Sequence, residues 1–170
     1  MDTINRIDSA LKNAGLSNIT LKPQQVQCFE YLLKGYDVIA VLPTGFGKSL
    51  LFQLLPDVMH TKSSCNIVIV VCPLTSIIED QLKILKDMGI NAKTLHSSKK
   101  RINDVTNLFD EETEDGDYEV HMTDYDECKI LFAHPEDLLS EVGKTLLKSD
   151  VFQKNVVACV IDEAHCVEMW

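Results

Sequence analysis

The stretch from Asp37 to Gln53 sets the strictest condition on the fold. A mostly apolar run, Asp37-Val38-Ile39-Ala40-Val41-Leu42, leads straight into Pro43-Thr44-Gly45-Phe46-Gly47-Lys48-Ser49 and then Leu50-Leu51-Phe52-Gln53. This order predicts a strand over Val38–Leu42, a glycine-bearing loop and a helix from Lys48. Glycines let the backbone curl so that successive N–H groups face a polyphosphate, and the new helix adds its positive N-terminal end. On that pattern Thr44, Gly45 and Gly47 line the cradle, Lys48 reaches the β- and γ-phosphates, and the Ser49 hydroxyl ligates Mg²⁺. Leu42 stands where the general pattern G-x-x-x-x-G-K-[ST] has its first glycine. Taken alone, the phrase also fits an ordinary glycine-rich turn that opens a helix.

A phosphate cradle needs an acidic partner at the end of another buried strand. Val156-Val157-Ala158-Cys159-Val160-Ile161 followed by Asp162-Glu163-Ala164-His165 supplies the pattern. Asp162 is the candidate Mg²⁺ holder and Glu163 the candidate for polarising the attacking water in metal-assisted phosphoryl transfer. By itself an Asp-Glu pair after a strand equally suits a solvated strand end or a helix N-cap. Behind a strand–loop–helix unit about a hundred residues earlier, it reads as the second half of the same site.

The remaining periodicity extends the pattern. Helices are expected over Ile4–Ala14 and Gln24–Lys34, closed by Gly15 and Gly35, with Pro23 opening the second. Strands then alternate with helices: Ile67–Val71, helix Ser76–Met88; Ala92–Leu95, helix near Lys100–Phe109; Ile130–Ala133, helix Glu136–Leu147; and Val156–Ile161. Such alternation predicts an α/β fold, a parallel sheet flanked by helices with its ligand at the carboxyl ends of the strands.

Four stretches in order resemble the superfamily-two helicases and, within them, the RecQ-like DNA helicases. Leu21-Lys22-Pro23-Gln24-Gln25 resembles the motif ahead of the phosphate loop, in which Gln25 takes the place of the adenine-reading glutamine and Lys22 that of a basic residue stacking nearby. The family's usual arginine is lysine here, without a planar guanidinium. Val71-Cys72-Pro73-Leu74-Thr75 resembles a Ser-Pro-Leu motif lying along nucleic acid, with cysteine replacing the serine. Ile130-Leu131-Phe132-Ala133-His134-Pro135-Glu136-Asp137-Leu138 resembles a strand ending in Pro-Glu-Arg-Leu, with Asp137 in the arginine's place. Asp162-Glu163-Ala164-His165-Cys166-Val167-Glu168-Met169-Trp170 resembles the DEAH box and the start of the aromatic-rich loop.

The resemblance implies a RecA-like P-loop NTPase domain that is incomplete at the C-terminus. Residues 1–20 form a helical lead-in and 21–170 a partial helicase ATP-binding domain. It implies a 3′–5′ DNA helicase motor lobe, ATP and Mg²⁺ as cofactors, and single-stranded or forked DNA as partner. Catalysis falls to Lys48, Asp162, Glu163 and His165, and nucleic-acid contacts to Pro73, Leu74, Thr75, Pro135 and Trp170. In the family the residue at His165 couples the acidic box to a Ser-Ala-Thr motif. That motif, a second RecA-like lobe and its arginine finger are not found in this sequence, so the fragment alone is expected to be poorly stable and unable to unwind. The alternative is a nucleotide-binding module or truncated regulator without motor activity. A P-loop kinase would leave the Pro-Leu and Cys–Trp matches unexplained.

Net charge argues against DNA binding until it is located. The chain carries a formal −10. Ten acidic residues and no Lys or Arg lie between Asp110 and Glu127, which leaves 16 of each sign elsewhere. The segment about 110–127 therefore reads as a solvated acidic insertion on an electroneutral body. The six cysteines form no C-x-x-C pair, so free thiols and no zinc site are expected. No basic-then-apolar leader and no membrane-length apolar stretch occur. The expected location is intracellular, nuclear in a eukaryote, with no membrane partner.

Overall fold

A computed structural model describes residues 2–60, 66–96 and 127–169, with side chains as far as Cys166. Elements in chain order are α1 (Thr3–Asn13), α2 (Pro23–Leu33), α3 (Lys48–Val58), β1 (Ile67–Val71), α4 (Thr75–Asp87), β2 (Ala92–Leu95), β3 (Ile130–Ala133), α5 (Pro135–Leu139), α6 (Glu141–Lys148), α7 (Asp150–Asn155), β4 (Val156–Ile161) and a 3₁₀ turn (Ala164–Met169). The expected helix near 100–109, nearly all of the acidic segment, and Trp170 lie outside the described residues.

The four strands form one parallel sheet in the order β2-β3-β1-β4. The Ile-Val-Ile-Val-Val run of β1 is buried throughout, as a central strand covered on both faces must be. Alternate residues enter different cores, because successive side chains of a strand point to opposite faces. Val68, Val70, Ile130 and Phe132 pack with Ile7, Phe29, Phe52, Leu55 and Leu85 from α1 to α4. Ile67, Ile69, Val71, Leu131 and Ala133 pack with Leu146 of α6 and Phe152 of α7. Helices thus flank the sheet on both sides, as the alternating sequence pattern predicts. Phe52 and Phe132 meet edge to face at 6.1 Å, joining α3 to the sheet.

Two expectations are corrected. The single helix over 136–147 is broken at Ser140, whose extended backbone (φ −66, ψ 170) ends α5 and caps α6. Its hydroxyl accepts from Gly143 N at 3.1 Å and donates to the Asp137 carbonyl at 2.6 Å. Ser149 then caps α7, accepting from Phe152 N.

The second correction concerns Val38–Leu42, which has no place in the sheet. Ile39 and Val41 are 92% and 90% exposed. A strand is defined by its ladder, and this segment has no neighbour to bond with. β4 is the edge strand on that side, and Ile161 at its end is half exposed. The separation agrees with the family resemblance, whose strand order puts one further strand between the two segments.

Candidate nucleotide site

The loop after Leu42 is built by one turn and one helix start. Phe46 N donates to the Pro43 carbonyl at 3.2 Å, closing a turn around Thr44 and Gly45. Gly45 (φ +75) and Gly47 (φ +89) both occupy the left-handed region that favours glycine. Gly47 is also the N-cap of α3, and no side chain caps that helix. The first N–H groups of α3, including those of Lys48 and Ser49, therefore lack an intrahelical partner and suit an anion. Lys48 Nζ donates to the Leu42 carbonyl at 3.1 Å, across the mouth of the loop.

The start of α2 grips this loop from the side. Lys22 N donates to Gln25 Oε1 at 2.8 Å, and Gln25 Nε2 donates to the carbonyls of Phe46 (3.3 Å) and Gly47 (3.1 Å). Lys22 Nζ donates to the same Phe46 carbonyl at 3.3 Å and lies 3.9 Å from the centre of its ring. Gln25 is only 3% exposed, so its amide bonds serve as a buried link between helix and loop. A side chain at Gly47 would meet Gln25 Nε2 at 2.9 Å, a second reason for glycine there.

The acidic end is set by strand pairing. Val71 stands beside Ile161 in the β1–β4 register, and Asp162 N donates to the Val71 carbonyl at 2.9 Å. The chain then turns sharply through Glu163, whose φ of 52 is unusual for a residue with a side chain. Two bonds hold the turn: Glu163 N to Asp162 Oδ1 at 3.0 Å, and Cys166 N to the Glu163 carbonyl at 2.8 Å. His165 Nδ1 approaches Glu163 Oε2 at 3.2 Å, an ion pair when the imidazole is protonated and a hydrogen bond otherwise. Burial pushes the Asp162 carboxyl above its usual range. The bond from Glu163 N opposes the rise, the Glu163 charge adds to it and the Lys48 charge opposes it. Lys48 is thus close enough to act electrostatically on Asp162, which joins the two halves across the carboxyl ends of the strands.

The other strand-end residues divide by exposure. Leu74 and Thr75 are exposed, Pro73 is half-buried, and Pro135 is buried as the first residue of α5. Pro135 therefore starts a helix and does not present a face outward. Asp137, in the place of the family arginine, is only 4% exposed. Cys72 is fully buried, and its thiol points to the Leu74 carbonyl at 3.8 Å, so it offers no outward contact. Burial, before the charges of Asp162 and Glu163, pushes that thiol up. Two residues carry contacts that the motifs alone did not single out. Phe46 forms the loop's link to Lys22, and buried His134 meets Thr75 Oγ1 through Nε2 at 3.3 Å. The aromatic residue between the two glycines was the only sequence signal for the first.

Among the described residues, no group of three or more His, Cys, Asp or Glu could hold a metal ion, and no helix is long and apolar enough to cross a membrane. The five described cysteines are free thiols.

Comparison with known proteins agrees with this geometry. The DEAD/DEAH box helicase family matches residues 22–170. The chain is 35% identical over 151 residues to the probable ATP-dependent DNA helicase RecS of Bacillus subtilis, covering 89% of this chain and 26% of that protein. It is 32% identical over 146 residues to the ATP-dependent DNA helicase RecQ of Synechocystis, covering 86% and 27%. It is 30% identical over 148 residues to the RecQ-like DNA helicase blm-1 of Caenorhabditis elegans, covering 86% and 14%. The chain thus spans about a quarter or less of the length of these relatives. With a phosphate loop, an acidic strand end and this match over nearly its whole length, the chain belongs to the DEAD/DEAH box helicase family and is similar to the front part of the RecQ-like DNA helicases.

Proposed function

We propose that these residues form the ATP-binding lobe of a 3′–5′ DNA helicase that moves along single-stranded DNA. The observation that carries the proposal is the electrostatic action of Lys48 on Asp162, since phosphate loop and acidic strand end must face one another to share a nucleotide. The residues fit the ligand. The uncapped start of α3 offers N–H groups to phosphate, Lys48 adds a cation, and Ser49 and Asp162 supply an oxygen each for Mg²⁺. Mg²⁺ favours few protein oxygens together with phosphate oxygens, so a two-ligand site suits it. Bound there, it would neutralise charge on the phosphates. Glu163, held by the turn after Asp162, would orient and deprotonate water, and His165 would hold the Glu163 carboxylate in place.

DNA contacts fall to the exposed Leu74 and Thr75, at the carboxyl end of β1 beside the nucleotide. Backbone tracking of a single strand asks little base selectivity. The test uses protein carrying these residues together with a second RecA-like lobe. Glu163→Gln is expected to spare ATP binding and to stop hydrolysis and unwinding of a 3′-tailed duplex. Equal ATP turnover by wild type and Glu163→Gln would sink the assignment. ATP binding with no stimulation by DNA in wild type would instead favour a nucleotide-binding module without motor activity.

A further inference from the structure

Lys22, Gln25 and Phe46 form a closed set of contacts that the chemistry of phosphoryl transfer does not use. An ammonium group has no plane to stack on a nucleobase. Here that of Lys22 is occupied otherwise, 3.9 Å from the centre of the Phe46 ring and 3.3 Å from the Phe46 carbonyl. An ammonium over an aromatic face is attracted by the negative face of the ring. The Gln25 amide is engaged at both ends: Oε1 accepts from Lys22 N, which directs Nε2 to the carbonyls of Phe46 and Gly47.

All the loop ends of these contacts fall on residues 46 and 47, between the turn at Pro43 and the first helical residue Lys48. This is the stretch flanked by Gly45 and Gly47, both at positive φ. Glycines lose the most conformational freedom on ordering, so a glycine loop that orders only on binding charges that entropy against affinity. Contacts already made in the free protein remove part of that cost.

We propose that Phe46 is a positioning residue of the nucleotide site, its ring and carbonyl anchoring Lys22 and Gln25 in a clasp that holds the glycine loop ready for the polyphosphate of a nucleotide. The inference rests on the nucleotide-site proposal above. The clasp acts on the loop as a whole, so it favours di- and triphosphates alike and is indifferent to the base. Gln25 can read a nucleobase only by giving up one of its loop bonds, so base selection and loop ordering compete at that amide.

The test measures dissociation constants of ADP and ATP, and of GDP as a base control, in protein carrying a second RecA-like lobe. Phe46→Leu and Lys22→Met are each expected to weaken ADP and ATP about two- to fivefold, the range of a partly exposed cation–π contact. Phe46→Tyr, which keeps the ring, is expected to retain wild-type affinity. The double variant should be no weaker than the worse single, because both remove one contact, and the ADP-to-GDP ratio should not move. Unchanged affinity in Phe46→Leu, losses that multiply in the double variant, or an altered ADP-to-GDP ratio would each overturn the clasp. If Phe46→Leu does not fold, exposed Lys22→Met is compared with wild type and Phe46→Tyr, and unchanged affinity in Lys22→Met overturns it equally. Wild type that binds neither ADP nor ATP refutes the nucleotide site itself, a different failure.

Discussion

Gly143 lies in α6 where that helix crosses the end of α5, and a methyl group there has no room. An added Cβ would sit 2.2 Å from the Leu138 carbonyl oxygen, 2.5 Å from that of Asp137 and 2.6 Å from the Leu138 carbonyl carbon. Ordinary carbon–oxygen contacts begin at about 3.3 Å, so Gly143→Ala must push backbone against backbone by about 1 Å. Neither side yields easily, since Ser140 ties Asp137 to Gly143 and Leu146 of α6 is 1% exposed in the second core. Overpacking of this kind costs about 1–3 kcal/mol. Alanine recovers up to about 1 kcal/mol by helix propensity, which leaves a net loss of about 1–2 kcal/mol. At this chain length the midpoint of thermal unfolding should fall by roughly 2–8 °C. Lys144→Ala is the control, because it removes only an exposed pair with Glu141, worth about 0.3–0.5 kcal/mol in a helix. The sign is what decides: Gly→Ala in an ordinary helix stabilises. A Gly143→Ala protein as stable as wild type, or more so, would refute the close approach of α5 and α6.

Ser140→Ala removes the α6 cap and should cost about 1 kcal/mol, read by urea unfolding, with Ser140→Asp restoring most of it. Lys129 Nζ and Asp57 Oδ1 lie 2.7 Å apart and tie the start of β3 to α3, with side chains 43% and 23% exposed. A double-mutant cycle on their alanine variants should give a coupling of about 0.5–1 kcal/mol that shrinks in 1 M salt. No coupling at low salt would show that the pair does not form.

Much of the frame was legible because burial and periodicity coincide. The uninterrupted apolar run of β1 announced a central parallel strand, and the short runs at 92–95, 130–133 and 156–161 follow the same logic. Asp162 could be placed at a strand end because the apolar residues stop there, and the register with Val71 agrees. Ser140 and Ser149 defeated the single-helix expectation, since a serine inside a helical pattern reads as tolerable until its hydroxyl is seen to cap the next helix. Val38–Leu42 has strand composition and no strand pairing, because composition describes a surface that fits a sheet whereas pairing needs a neighbour. The link from Phe46 to Lys22 spans 24 residues, beyond any local pattern. The His134 to Thr75 contact spans 59 and follows only once β1 and β3 are adjacent.

That Lys48 and Asp162 serve one nucleotide–Mg²⁺ site is tested most directly by titrating ATP with and without Mg²⁺ into wild type, Lys48→Ala and Asp162→Ala, each in protein carrying a second RecA-like lobe. Lys48→Ala is expected to weaken ATP at least about tenfold with or without Mg²⁺, in line with a charge-assisted phosphate contact of about 1.5–3 kcal/mol. Asp162→Ala is expected to lose the gain in affinity that Mg²⁺ brings and to keep metal-free binding. Wild-type affinity in Lys48→Ala, or a full Mg²⁺ gain in Asp162→Ala, would contradict the shared site.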